Sequence, residues 1–288
     1  MRPVFRLATL LLALASPLRA QDPLALIGAA QQAQSARSFE GVVVFMHDGR
    51  FDAVRVVHRP GDAGYQQVAS LSGLPRALFR DARETRIEDA GQARRLPSIA
   101  IAAQAFDAER IGDSYRIRQS SEERIAGFQA RVIDAVARDD VRHSQRLWIN
   151  PDNGLLLGVA LIGPRRETLQ QVMFTSLVVD PRASQAGAAV AAAKPEAALP
   201  VSPPPGFRLI GERIDGARRS LILSDGLAMI TLYLEPRADE LDRLTTLRRG
   251  ATQLASRQLG RQRAVVVGEV PLATAVDLAN RAAQALND

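Results

Sequence analysis

The 288-residue chain contains no cysteine. Disulfides, thiolate metal sites and cysteine nucleophiles are therefore excluded. Lysine is almost absent: Lys194 is the only one, so arginine carries the basic charge. Aromatics make up 5% of the residues, and Trp148 is the single tryptophan. The three histidines, His47, His58 and His143, fall on different strand candidates without i, i+4 spacing, so each reads as a surface or turn residue and no metal site is expected. The sequence has no GxSxG elbow, no GxxxxGK[ST] loop and no GxGxxG. Glu122-Glu123 would point to opposite faces of a strand and could not flank one glycosidic bond. Ser224-Asp225-Gly226, between two β runs, reads as a turn rather than a nucleophile. The expectation is a protein that is not an enzyme and carries no cofactor.

Long apolar runs are equally scarce. The one that stands out, Leu7–Ala15, follows Arg2 and Arg6, is broken by Ser16-Pro17 and ends at Ala20. A basic start, a short apolar core and a small residue at the cut form the pattern of a secretory signal peptide. The run is about half the roughly twenty residues that span a bilayer. Residues 1–20 are thus expected to be removed and the rest exported. Without disulfides, about 265 mature residues must be held by a hydrophobic core, and that length is ample. The formal charge of +6 falls to about +3 once Arg2, Arg6 and Arg19 leave. Export makes nucleic acid a poor partner and leaves lipid phosphates, anionic membrane surfaces and acidic protein segments, which arginine pairs well. A nucleotide-composition bias would account for the arginine excess equally well.

Residues 183–205 collapse to Ala, Pro, Gly and Ser with five prolines and no periodicity, the composition of a linker. Such a stretch could span up to about 60 Å. It separates a domain at 22–182 from a smaller one at 206–288. The first opens with Asp22-Pro23, an N-cap and first-turn proline, predicting a helix to about Arg37. Strands are predicted at Phe39–His47 and Phe51–His58 around the Asp48-Gly49 turn, and at Tyr65–Leu71, Ala77–Arg80, Arg116–Gln119, Gln129–Val136, Ser144–Ile149, Leu155–Ile162 and Leu169–Val179. Ser98–Arg110 could hold a second helix. The smaller domain reads as strands at Phe207–Ile214, Ser220–Leu223, Leu227–Leu234, Ala251–Gln258 and Ala264–Gly268. A helix from Pro271 to Leu286 follows, with Leu272, Ala275, Val276, Ala279, Ala282, Ala283 and Leu286 on one face. The fold class is α+β.

Several strands do not alternate. Val42–Met46 and Leu155–Val159 are apolar on both sides, so both faces of the sheet must be covered. Ordinary core, a partner chain or an apolar ligand would each do this.

The stretch Arg146-Leu147-Trp148-Ile149-Asn150-Pro151-Asp152-Asn153-Gly154-Leu155-Leu156-Leu157 resembles the RseB/MucB family of periplasmic stress regulators. Leu71–Arg76 and Val136–Ser144 upstream carry the same likeness, as do Pro205–Phe207, Ser224–Leu227 and Val267–Pro271 downstream, in the family's order. Arg80-Asp81-Ala82-Arg83 departs from the family's turn, and Ala77 stands where an acidic residue is common. The resemblance implies a LolA-like, half-open antiparallel N-terminal sheet with helices and an apolar cavity, plus a smaller C-terminal α+β domain. It implies a periplasmic negative regulator of an envelope-stress sigma factor, which binds the periplasmic part of a transmembrane anti-sigma factor (RseA/MucA-like) and shields it from proteolysis. Lipopolysaccharide or another acylated lipid would release it, and a homo-oligomer stays open. The alternative is a lipoprotein or lipid carrier of the LolA type. Val43, Phe45 and Trp148 are candidates to line the apolar cavity, and Arg146 to meet a lipid phosphate.

Overall fold

The computed structural model describes residues 22–60, 65–81, 84–97, 108–180 and 199–287. Helix α1 (Pro23–Ala36) begins where expected: Asp22 accepts a hydrogen bond from the Leu24 amide at 3.0 Å and Pro23 opens the first turn. An antiparallel meander follows, β1 (Phe39–His47), β2 (Arg50–Arg59), β3 (Tyr65–Ser70), β4 (Arg76–Arg80), β5 (Glu84–Asp89) and β6 (Gln92–Pro97). After the short α2 (Ala108–Ser114) comes a second meander, β7 (Tyr115–Ile125), β8 (Phe128–Ala137), β9 (Ser144–Ile149), β10 (Leu156–Ile162) and β11 (Thr168–Val179). β11 pairs with β1, which joins the two meanders into one eleven-stranded sheet with β6 and β7 at its open edges. Asp48 and Gly49 both have positive φ (48° and 71°), the geometry that lets a two-residue turn follow the strand twist.

α1 lies on one face of this sheet. Its Leu26, Ile27 and Ala30 pack with Tyr115, Ile133, Leu147 and Ile149, all buried. The β9–β10 turn is built by Asn150, whose side chain accepts from the Asp152 and Asn153 amides and donates to the Gln129 carbonyl. Gly154 closes that turn at φ +75°, with Ala29 O and Ala33 Cβ about 3 Å from where a side chain would start, so the turn can press onto α1 only with glycine there.

The second domain is a four-stranded meander, β12 (Arg208–Asp215), β13 (Arg218–Ser224), β14 (Met229–Arg249) and β15 (Thr252–Gly268), covered by α3 (Leu272–Asn287). Ala275, Leu278, Ala279, Ala282 and Ala283 are fully buried against Leu221, Leu223, Leu232 and Val266. The small alanines let the helix sit close to the sheet.

The structure corrects several expectations. β5 and β6 are additional strands; Glu84–Asp89 is too charged to read as one, and it persists because its charged groups remain half-exposed while Arg86 stacks on the Phe79 ring. β14 does not stop at Leu234 but runs to Arg249, and the two segments at 251–258 and 264–268 are one strand, β15. Pro236 is accommodated by a register shift between Pro236 and Leu241. The buried face of α3 includes Leu278, whereas Leu272 is exposed. α2 begins at Ala108; residues 98–107, the expected signal segment and most of the expected linker lie outside the described residues, but Leu199 and Val201 already pack on the second core. Two of the histidines are not surface residues, since His143 is buried and His58 is half-buried against the Phe39 ring at 5.1 Å, while His47 directly precedes the Asp48-Gly49 turn. Among the described residues no helix is long and apolar enough to cross a membrane.

Candidate functional site

Strand alternation and register decide which side chains share the α1 face. Phe45 opposes Val172, Val172 opposes Val159, and Val159 opposes Leu147, so these four form one apolar row across β1, β11, β10 and β9. The row floors a cavity of about 410 Å³. Ile27, Ala30, Gln31 and Gln34 of α1 form its side wall, and Gly226, Leu227 and Glu269 of the second domain close its end. Beyond Phe45 the same face continues as a more open recess of about 750 Å³ over Val54, Val68, Leu78 and Ile87, with Arg249 and Glu269 of the second domain on its rim. Phe45, Gln170 and Glu269 belong to both, so the two form one trough. Volumes of this order suit a small apolar guest or part of a larger one.

The enclosed part of the trough has few polar groups, Gln31, Gln34, Gln145, Gln170 and Glu269, whereas the open recess also carries His47, Asp52, Arg76, Glu88 and Asp89. Gln170 donates to Glu269 Oε1 at 2.7 Å, and Gln31 donates to the Gly226 carbonyl at 2.8 Å. Gln31 Oε1 is buried with no hydrogen-bond partner among the described residues.

The seam itself is held by a buried polar cluster. Asp225 Oδ2 accepts from the Tyr115 hydroxyl at 2.9 Å and from Arg142 Nη1 at 2.5 Å, while its Oδ1 accepts from the amides of Leu227 and Ala228. Arg142 also donates to Asp139 and to the Pro205 carbonyl, and its guanidinium lies over the Phe207 ring at 5.2 Å. Burial alone would lower the Arg142 value, but the Asp139 hydrogen bond and the Asp225 charge outweigh it, and the net shift is upward. Burial, then the Asp225 charge, pushes the Tyr115 hydroxyl far up, so it stays a donor. A second contact lies at the β14–β15 tip, where the Gly250 amide donates to Asp48 at 2.7 Å and holds that carboxyl below its ordinary value.

Phe45 is in the trough wall. Val43 is buried and borders a narrower cleft beside Phe174 and Leu157. Trp148 points to the opposite face, packs with Val132 and Ala160, and donates to Glu123 at 2.9 Å. Arg146 shares that opposite face, ion-paired to Asp134 at 2.7 Å. The structure therefore brings Phe45 together with Leu147, the neighbour of the two residues singled out, and leaves Trp148 and Arg146 outside the trough. The contributions of Leu227 and Glu269 were missed. The available signal was an apolar residue directly after a tight Ser-Asp-Gly turn.

An open sheet whose apolar trough is closed by a second domain defines a two-domain binding scaffold. The chain belongs to the MucB/RseB family: the family's N-terminal domain matches residues 22–194 and its C-terminal domain residues 199–283. It is 29% identical over 272 residues to the sigma factor AlgU regulatory protein MucB of Pseudomonas aeruginosa, covering 85% of each chain. It is 24% identical over 275 residues to the sigma-E factor regulatory protein RseB of Haemophilus influenzae, again covering 85% of each. The solved MucA/MucB complex of Pseudomonas aeruginosa superposes with a TM-score of 0.65 at 26% identity, over 90% of this chain and 97% of that one.

Proposed function

We propose that this protein is an exported, periplasmic negative regulator of an envelope-stress sigma factor. It holds the periplasmic part of a transmembrane anti-sigma factor and shields it from proteolysis, until an acylated lipid such as lipopolysaccharide enters the trough and releases it. Membership of a family whose curated relatives are sigma factor regulators, one solved with MucA, supports the partner. The observation that carries the release step is the end wall: a guest lying on Phe45, Val172 and Leu147 must press on Leu227 and Glu269, which belong to the other domain. A twelve-carbon chain could gain about 10 kcal/mol at about 0.8 kcal/mol per methylene, before entropic losses. Moving a two-state equilibrium from 1:99 to 99:1 needs about 5.5 kcal/mol of differential binding. One chain is enough if the partner-bound form excludes it.

The test is protease protection of the anti-sigma periplasmic segment from the same organism, with purified full-length regulator. Protection should be lost on adding a lipid A fragment with twelve-carbon chains and retained with its deacylated form. Failure to retain the segment would remove the partner assignment, and equal release by the deacylated form would remove the trough from the mechanism. A lipid carrier is favoured by the same apolar floor, but it predicts stoichiometric lipid transfer between membranes and no retention of the anti-sigma segment, whereas the regulator should retain that segment.

A further inference from the structure

α3 covers one face of the second domain's sheet, but the far half of β14 is left in solvent. β13 accompanies β14 only as far as Leu234, opposite Arg219, and from Leu241 to Arg249 its sole strand partner among the described residues is β15. Every residue from Pro236 to Arg249 is exposed, including Leu241 (43%), Leu244 (43%) and Leu247 (65%). The tip of this ribbon is anchored. The Gly250 amide donates to Asp48, and Arg248 and Arg249 lie 3.7 Å from Asp48 and Asp52. The exposed segment is thus a fixed surface, with little left to order when something binds it.

Strand alternation sorts its side chains by charge. Side chains at alternate positions share a face, and so do residues directly opposed in an antiparallel pair. Leu241, Arg243, Thr245, Leu247 and Arg249 therefore lie on one face, where Ser256, Leu254 and Thr252 of β15 stand opposite the last three. The only acid between residues 241 and 261 is Asp242. It falls on the other face, with Leu244, and is ion-paired to Arg257 at 2.5 Å. The first face thus carries leucine and arginine with no carboxylate. Leu241 and Leu247 stand about 20 Å apart at about 3.3 Å per residue, with Arg243 between them and Arg249 beyond. Arginine pairs phosphate bidentately, and leucine side chains reach below a layer of lipid headgroups, so this order of residues matches an anionic bilayer surface. The Arg249 side chain is mostly in solvent and its 3.7 Å pair with Asp52 is weak, so a lipid phosphate can compete for it. The face has no aromatic anchor, unlike the core of a protein interface.

We infer that this face of the β14–β15 ribbon docks the protein peripherally on an anionic phospholipid bilayer, with Leu241 and Leu247 in the headgroup layer and Arg243 and Arg249 on lipid phosphates. The inference goes beyond the regulatory reading and does not depend on it, since it needs neither an anti-sigma segment nor lipopolysaccharide. The test is flotation of the purified two-domain chain, made without residues 1–20 so that the apolar run at Leu7–Ala15 cannot itself enter a bilayer. The protein should float with vesicles of phosphatidylglycerol and phosphatidylcholine in equal parts and stay behind with phosphatidylcholine alone. Raising the salt from about 0.1 M to about 1 M, which shortens the screening length from about 10 Å to about 3 Å, should release it. R243E and L247E should each lower the partition coefficient at least about fivefold. L244E alters an exposed leucine on the other face and should change it less than about twofold. All three variants should melt with the parent, because the side chains are exposed. Absence of flotation, or a loss in L244E equal to that in L247E, would overturn the assignment. So would flotation that survives both R243E and L247E, which would move the lipid contact to the trough. Ribbon amides that gain exchange protection with an added protein segment but not with vesicles would overturn it as well, because the face would then serve a protein.

Discussion

Replacing Asp225 with asparagine should loosen the two domains from each other, and the size of the effect follows from its contacts. Both carboxylate oxygens are in use, Oδ2 by Tyr115 and Arg142 and Oδ1 by the amides of Leu227 and Ala228. Asparagine keeps the volume but must turn its NH2 towards one of those donor pairs. Arg142 also loses its buried counter-charge. Removing one partner of a buried ion pair costs about 3–5 kcal/mol. Arg142 retains Asp139 and the Pro205 carbonyl, which places the expected loss near the lower end, about 3 kcal/mol. The assay is urea unfolding followed by two probes. Trp148, the only tryptophan, reports on the first domain alone, whereas far-UV circular dichroism reports on both. The transitions should coincide in the parent and separate in D225N as cooperativity between domains weakens. The double variant R142M/D225N should cost at least 1 kcal/mol less than the sum of the two singles, because it leaves no uncompensated buried charge. A loss below about 1 kcal/mol with coincident transitions would refute the reasoning and assign the seam to its apolar contacts instead.

Phe45→Asp should abolish binding of a twelve-carbon lipid measured by calorimetry, while Arg146→Ala, on the opposite sheet face, should change it less than twofold; equal losses would move the lipid site away from the trough. His58 and His143 are both held below the ordinary 6.5, chiefly by burial. The unfolded chain therefore takes up protons first on acidification, so stability is full above pH 6.5 and falls as pH drops below it towards the lower folded values. Urea midpoints at pH 7.5 and 5.5 should show this loss, and H58Q and H143Q should each reduce it; an unchanged difference in both would refute it. Gly250→Val places a β-branched residue at φ +59°, with His47 Cβ 2.8 Å from the new Cβ. It should cost about 1–3 kcal/mol in chemical denaturation, and it should release Asp48 so that amide exchange speeds up at the β1–β2 turn.

The sequence by itself determined most of the local structure. Asp22-Pro23 set the start of α1, Asp48-Gly49 the first hairpin, and Asn150 to Gly154 the turn onto α1, because capping and positive-φ geometry are written into a few neighbouring residues. The apolar runs of β1 and β10 announced a sheet covered on both faces. The family was legible from motifs spread along the chain. Strand phase was not, because β1 and β10 are apolar at adjacent positions and alternation gives no sign of which face is which. Hence Trp148 and Arg146 were indistinguishable from Leu147 until register with β10 placed them on opposite faces. The polar strand beyond Pro236 also escaped, since an exposed ribbon lacks the hydrophobic period on which strand reading depends. Only the tertiary structure decided that Ser224-Asp225-Gly226-Leu227, a turn by local chemistry, is also the seam between domains and the end wall of the trough. Its partners Tyr115, Arg142 and Gln31 stand between 83 and 195 residues away, and no local pattern encodes a contact at that separation.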